Sequence, residues 1–158
     1  MKIAIIRREY ITHLDGVNRF IAWLAEGLIR LGHDVVIASW CYSGSVKREE
    51  LPRWFREMHG LDYEVPILTI EDKPCAGDPW VKMNLRWLTK GGSLLRKEGV
   101  DVAVVNGVVP LIFKSKIAVA HGPLGNISIM QRLVLKALYA TSDKLFVYQS
   151  KAGGNIGV

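Results

Sequence analysis

Residues 12–20, THLDGVNRF, place an aspartate and a glycine where an apolar run ends and a helical pattern begins. The free N–H groups and the dipole of a helix N-terminus can bind a phosphate beside a glycine such as Gly16. Asp15 is also suited to cap the helix with its carboxylate, which would compete with a phosphate. The local sequence favours capping by Asp15, with Gly16 easing the turn. His13 lies in the same segment and can face the same space.

Further polar residues follow two later apolar runs. His121 comes directly after the small and apolar residues 117–120, so we expect it at the open end of a strand. A lone histidine is more often a structural hydrogen-bond donor than a catalytic group, but its place at the ligand edge of the sheet favours contact with a ligand. Asn106 and Gly107 end the preceding run. They predict either a left-handed turn or an amide donor suited to sugar hydroxyls, and the residues favour neither interpretation.

Several common chemistries lack their residues in this chain. A dinucleotide site needs a G-x-G-x-x-G turn and an acidic residue after the second strand, and neither is present. The phosphate-binding sequence of kinases and the G-x-S-x-G elbow of esterases are also missing. We expect no pair of carboxylates at the strand ends, so glycoside hydrolysis is not supported.

The cysteines Cys41 and Cys75 are isolated, with no C-x-x-C spacing and no histidine cluster nearby. We predict inert thiols, no disulfide framework and no metal site. This use of cysteine fits a reducing cytoplasm.

The elements that must position these residues alternate between strand and helix patterns. We predict strands within residues 2–7, 34–39, 63–70, 101–107, 116–122 and 144–150, and helices within residues 16–31, 47–59, 81–95 and 127–140. Apolar, β-branched strands in such an alternation predict an α/β fold, with a parallel sheet covered by helices on both faces. Ligands of such sheets bind at the carboxyl ends of the strands.

Glycine and proline modify this pattern at particular points. Gly32 is expected to end the first helix. Pro52 fits the first turn of the second helix, and Pro66 suggests a strand at an edge or a bulge. Gly91 and Gly92 are expected either to interrupt the third helix or to let another backbone pack closely against it.

The length of 158 residues indicates one domain, and a composition of 49% hydrophobic and 23% charged residues indicates a globular one. The net charge of +6 favours an anionic partner. Nucleic acid is not predicted, because the basic residues are scattered and no helix carries a dense basic stripe. An anionic small molecule or a membrane surface remains open.

Four segments resemble the N-terminal domain of family-four glycosyltransferases. They are DGVNRFIAWLAEGLIRLGHDVVIAS, DVAVVNG, IAVAHG and SDKLFVYQS, in the order that the family shows. The resemblance implies the N-terminal half of a GT-B fold, in which two Rossmann-like domains face each other across a cleft. It also implies a retaining transfer of sugar from a nucleotide diphosphate sugar to an acceptor hydroxyl, usually without a metal. No cofactor is implied, since the nucleotide sugar is a substrate.

The resemblance also assigns roles to individual residues. Gly16 would contact the diphosphate of the donor, and His121 would lie near the transferred sugar. Asn106 and Gly107 would line the acceptor side. His13 is expected to face the same cleft from its place in the first loop, and the resemblance assigns it no role. Asp15 stands where the family has a glycine, so the diphosphate contact is the weakest assignment.

The resemblance further implies that residues 1–158 form a single acceptor-side domain and that a C-terminal donor-binding domain is absent, so the chain alone would be inactive. Its partners would be that domain, a nucleotide sugar and a sugar or lipid-linked acceptor. We expect a cytoplasmic location and leave peripheral membrane contact open. Two alternatives remain, a non-catalytic binding or regulatory module and a nucleotide-binding enzyme with an unusual first loop.

Overall fold

The computed structural model describes residues 1–75, 77–121 and 128–148, and only the backbone of residues 120, 121 and 145–148. The six strands are β1 (Lys2–Arg7), β2 (Asp34–Ser39), β3 (Ile67–Thr69), β4 (Val102–Asn106), β5 (Lys116–His121) and β6 (Lys144–Tyr148). The α-helices are α1 (Gly16–Arg30), α2 (Leu51–His59), α3 (Trp80–Arg86), α4 (Gly92–Lys97) and α5 (Ile129–Ala140). A 3-10 turn, Arg48–Glu50, precedes α2, and a π-helical turn, Trp87–Gly91, joins α3 to α4.

The strands form one sheet in the order β3-β2-β1-β4-β5-β6, and every adjacent pair is parallel. The chain first builds outward from β1 to β3 and then returns to the other side of β1 with β4. The carboxyl ends of β1 and β4 therefore diverge at the point where ligands bind in open α/β sheets. Arg7, the last residue of β1, lies beside Asn106 of β4.

Alternate residues of β1 enter two different cores. Ile5 packs with residues of β2, α1 and α2 on one face of the sheet. Ala4 and Ile6 pack on the other face with buried residues such as Trp87, Leu95 and Leu138, which come from the remaining helices. Helices thus cover both faces, and the predicted α/β, Rossmann-like parallel sheet is confirmed.

The predicted boundaries agree with the structure where a glycine or a proline determines them. Helix α1 ends before Gly32, whose φ of 84° is the left-handed conformation that favours glycine. Pro52 lies in the first turn of α2. Strand β3 is shorter than predicted because it begins only after Pro66, and it is an edge strand, as the proline suggested.

Both expectations for the glycine pair are confirmed. The helix is interrupted by the π turn that ends at Gly91, and the backbone of Ile112 packs directly against Gly92. Leu85 and Leu88, which share a helical face, are exposed, whereas Met83 and Trp87 are buried against the sheet.

Cys41 and Cys75 form a disulfide bond, so the prediction of free, inert thiols was wrong. Their Cα atoms are 6.1 Å apart although 34 positions separate them in sequence. The segments that follow β2 and β3 meet because those parallel strands are neighbours, and the Cys75 N–H donates to the Tyr42 carbonyl at 3.0 Å. Cysteine usage therefore no longer supports the cytoplasmic location, which stays a prediction.

Within the described parts of the chain, no helix combines the length and the apolar character needed to cross a bilayer.

Candidate functional site

A cleft of about 350 Å³ opens at the carboxyl ends of β1 and β4, where the order of the strands reverses. Three chain segments and the first turn of α5 supply its walls. Its lining residues are Arg7, Arg8, Glu9, Asp15, Val17, Asn106, Gly107, Val108 and Gln131. The structure thus brings together Asp15, Asn106 and Gly107, which the sequence singled out, at the edge where they were expected.

Arg7 organises the charged groups of this cleft. Its side chain is only 7% exposed, and its Nη2 donates to Asp15 Oδ2 at 2.7 Å and to Glu9 Oε2 at 3.0 Å. The Arg8 Nη2 donates to the other Glu9 oxygen at 2.5 Å. Two carboxylates therefore meet at a strand end, contrary to the expectation that none would. Asp15 is paired with Arg7, and Glu9 is paired with both Arg7 and Arg8, so the four groups form one salt-bridge cluster.

Asp15 caps α1, as the local sequence favoured. Its Oδ1 accepts a hydrogen bond from the Asn18 N–H at 2.8 Å. Partial burial acts to raise the pKa of this carboxyl, but the Asn18 hydrogen bond and the charge of Arg7 lower the pKa below its ordinary value of 3.8. Asp15 is therefore ionised at neutral pH and supplies the negative charge that the helix N-terminus prefers.

Gly16 is the first residue of α1, and neither its backbone conformation nor its described neighbours require a glycine there. It does not have positive φ, and a Cβ added to it would meet nothing within 4 Å. The expectation that Gly16 eases the turn is thus unsupported, and the space beside its backbone is open. The predicted contact with a diphosphate remains untested.

Of the pair Asn106 and Gly107, only Gly107 adopts the left-handed conformation that one of the two interpretations required, while Asn106 ends β4. Gly107 has a φ of 76°, and its N–H donates to the Val119 carbonyl at 2.9 Å. The Asn106 side chain is buried, and its Nδ2 donates to the Ile6 carbonyl at 3.2 Å. Asn106 therefore ties the ends of β4 and β1 together beneath the cleft.

The two histidines lie differently with respect to the cleft. His13 is mostly exposed, and its Nδ1 lies 3.2 Å from Asp15 Oδ2, so it contacts a lining residue from the side. His121 is the last residue of β5 and pairs with Tyr148, as its predicted position required. Its side chain and residues 122–127 lie outside the described part of the chain, and its proposed role is untested.

Sequence reasoning missed six lining residues, of which four are polar. Arg7, Arg8 and Glu9 fell within the strand-end segment expected to supply the site, but the pairing of charges depends on how the first loop folds back. Gln131 could have been located from the sequence, because Ser128 and Gln131 have the spacing of a capping box. It forms a capping box with Ser128, in which the Ser128 N–H donates to Gln131 Oε1 at 2.8 Å. Among the described residues, no group of three His, Cys, Asp or Glu side chains is placed to hold a metal ion.

The fold and the cleft define a Rossmann-like α/β domain with its candidate site where the strand order reverses. Among solved structures, the chain is similar to sucrose-phosphate synthase from Thermosynechococcus elongatus, with a TM-score of 0.66 and 13% identity. The match covers 92% of this chain and 41% of that chain, so this chain spans about two fifths of that protein. At such identity the likeness is one of fold. No family model and no curated protein matches the sequence.

Replacing Asp15 by alanine is expected to reduce the free energy of unfolding by about 2 kcal/mol, because the helix cap and one bond to the buried Arg7 are lost together. Since the folded-state pKa of Asp15 is lowered, its contribution is complete above the ordinary value of 3.8 and is lost as pH falls through the folded-state pKa. Urea unfolding at a series of pH values measures both effects.

Asp15→Asn is the matched variant for this experiment. Asparagine keeps a capping oxygen but removes the charge, so its cost should be smaller than that of alanine. A cost of Asp15→Ala that did not shrink between pH 5 and strongly acidic conditions would contradict the assigned ion pair.

Proposed function

We propose that this chain is the acceptor-binding half of a glycosyltransferase with GT-B architecture. Two independent lines support the proposal. The ordered segments resemble family-four glycosyltransferases, and the fold is similar to that of sucrose-phosphate synthase. Membership of family four, retention of anomeric configuration and inactivity of this chain alone are parts of the proposal.

The composition of the cleft is the observation that carries the acceptor role. Its two arginines and two carboxylates compensate each other, and Asp15 already accepts the Asn18 N–H at the start of α1. A phosphate would gain little from such a neutral cluster and would be repelled by the carboxylates. Fixed carboxylate oxygens accept hydrogen bonds from hydroxyl groups, so the cleft suits a sugar with free hydroxyls.

The donor would then approach from the other side of the cleft. The Gly16 and Val17 N–H groups precede the first bonded amides of α1, at Asn18 and Arg19. The Asp15 carboxylate beside them would repel a diphosphate, so these two groups would contribute only a weak contact to the donor. Most donor contacts, including basic groups for the diphosphate, would come from a second Rossmann-like domain. This arrangement makes a nucleotide diphosphate sugar a substrate and requires no cofactor.

The proposed reaction forms a bond between the acceptor oxygen and the anomeric carbon of the donor sugar. The bond from that carbon to the diphosphate oxygen breaks, and the acceptor hydroxyl gives its proton to the leaving diphosphate. Helix N-termini and basic groups would stabilise the charge that develops on the leaving diphosphate. His121 would position the transferred sugar by hydrogen bonding and would not act as a nucleophile.

The test uses the complete polypeptide that the gene encodes. It would be incubated with UDP-, GDP- and ADP-linked hexoses and a mixture of sugar and lipid-linked acceptors, and release of the nucleoside diphosphate would be measured. We expect acceptor-dependent release with one donor and at least a tenfold loss, about 1.4 kcal/mol, in His121→Ala. Unchanged transfer in His121→Ala would remove this residue from the mechanism. Absence of turnover with every donor would instead favour the non-catalytic module.

A further inference from the structure

The positive charge of the chain is concentrated in its second part. Residues 1–78 contain ten Lys or Arg and twelve Asp or Glu, whereas residues 79–142 contain nine Lys or Arg and only two acidic residues, Glu98 and Asp101. This second part includes α3, α4, the segment between β4 and β5, and α5. The basic character of the protein therefore belongs mainly to one layer of the fold.

The same layer exposes large apolar side chains from separate elements. Leu88 of the π turn, Ile112 of the segment between β4 and β5, and Leu133 of α5 are 43%, 64% and 55% exposed. All three line one groove of about 610 Å³, so they are contiguous in space. Leu85 lies three residues before Leu88 and extends this surface along α3.

Exposed basic residues lie close in sequence to these apolar side chains. Lys90, Lys114, Arg132 and Lys136 are exposed and follow or flank Leu88, Ile112 and Leu133 in sequence. None of these four forms an ion pair with an acidic residue of the described chain. We call this surface of apolar and unpaired basic side chains the apolar–basic face.

We propose that the apolar–basic face binds the surface of an anionic lipid membrane. Apolar side chains can enter the boundary between headgroups and acyl chains, while lysine and arginine remain among anionic headgroups. Nucleic acid would match the charge, but it would leave Leu88, Ile112 and Leu133 exposed. A purely apolar protein partner would bury the lysines without compensating their charge. The combination of both features selects the lipid surface.

The experiment measures sedimentation of the complete polypeptide with vesicles of phosphatidylcholine alone or with about one third phosphatidylglycerol, at low and high salt. We expect binding only to the anionic vesicles and release by salt. The paired change Lys114→Gln and Lys136→Gln should weaken binding about 10- to 30-fold, since each basic residue near the surface contributes about 1 kcal/mol. Ile112→Ser with Leu133→Ser should weaken binding without changing its dependence on salt.

Matched controls lie outside the face. Lys47→Gln with Lys73→Gln removes the same charge from other exposed lysines, and Leu31→Ser removes an apolar side chain that is even more exposed than Ile112 and Leu133. The proposal is overturned if the wild type binds neither vesicle, if controls and face variants weaken binding equally, or if the face variants instead abolish binding to single-stranded nucleic acid or self-association. None of these residues lines the cleft. Failure to bind vesicles would therefore overturn the membrane proposal without bearing on the proposed transferase function, which the sugar-transfer assay tests separately.

Discussion

Removal of the Cys41–Cys75 disulfide should lower the free energy of unfolding by about 4 kcal/mol in the chain-entropy model for a bridge of this span. The bridge joins the end of β2 to the segment after β3, and it is reinforced there by a bond from Trp40 Nε1 to Asp78 at 3.0 Å. Its loss frees both segments in the unfolded chain. Cys75→Ala, compared with the oxidised wild type in urea, measures this cost.

The reduced wild type is the control for the cysteine replacement. It should lose nearly as much stability as Cys75→Ala, because both lack the same covalent link. Alkylation of the denatured, unreduced protein should label neither cysteine. Labelling of both cysteines, together with equal stability of the oxidised and reduced protein, would show that the bond is not formed.

Gly92→Ala should cost about 3 kcal/mol, at the upper end of overpacking substitutions, because the added methyl group would meet the backbone carbonyl of Ile112. A backbone atom cannot move aside as a flexible side chain does. A side chain at the neighbouring Gly91 would also clash, because an added Cβ would lie 2.7 Å from the Trp87 ring. Thermal and urea unfolding of the variant measure the loss.

Gly27→Ala is the control for Gly92→Ala, because it makes the same substitution at a helical glycine with free space around it. Gly27 is helical, and nothing lies within 4 Å of an added Cβ. Alanine there should raise stability by about 0.5–1 kcal/mol through its higher helix propensity. Similar effects of the two substitutions would contradict the close approach of Ile112 to Gly92.

The order of strands and helices was predictable because each follows from a local pattern. Alternation of apolar runs and helical faces marked the elements, and Gly32 and Pro52 set ends that the structure confirms. Strand β3 was overestimated because its apolar pattern continues through Pro66, while pairing with β2 begins only at Ile67. Local sequence therefore predicted which elements form better than how far they pair.

The candidate site was predictable only in outline. The carboxyl ends of parallel strands had to meet, so Asn106 and Asp15 were expected near each other. The bonds from Arg7 to Glu9 and Asp15, and the disulfide, join residues through the path of loops in space. No periodicity in the sequence encodes such a path, and both features were missed for that reason.

The cleft beside Arg7 is proposed to hold the acceptor, and Glu9→Gln tests this role most directly. This variant keeps the shape of the side chain but removes its charge, which weakens its hydrogen bonds to hydroxyl groups and its ion pairs with Arg7 and Arg8. In the complete polypeptide we predict at least a tenfold loss of kcat/KM for the acceptor, about 1.4 kcal/mol, with unchanged KM for the nucleotide sugar. Glu49→Gln, an exposed glutamate outside the cleft, should leave both constants unchanged. Equal acceptor kinetics in Glu9→Gln, Glu49→Gln and the wild type would contradict an acceptor site in this cleft.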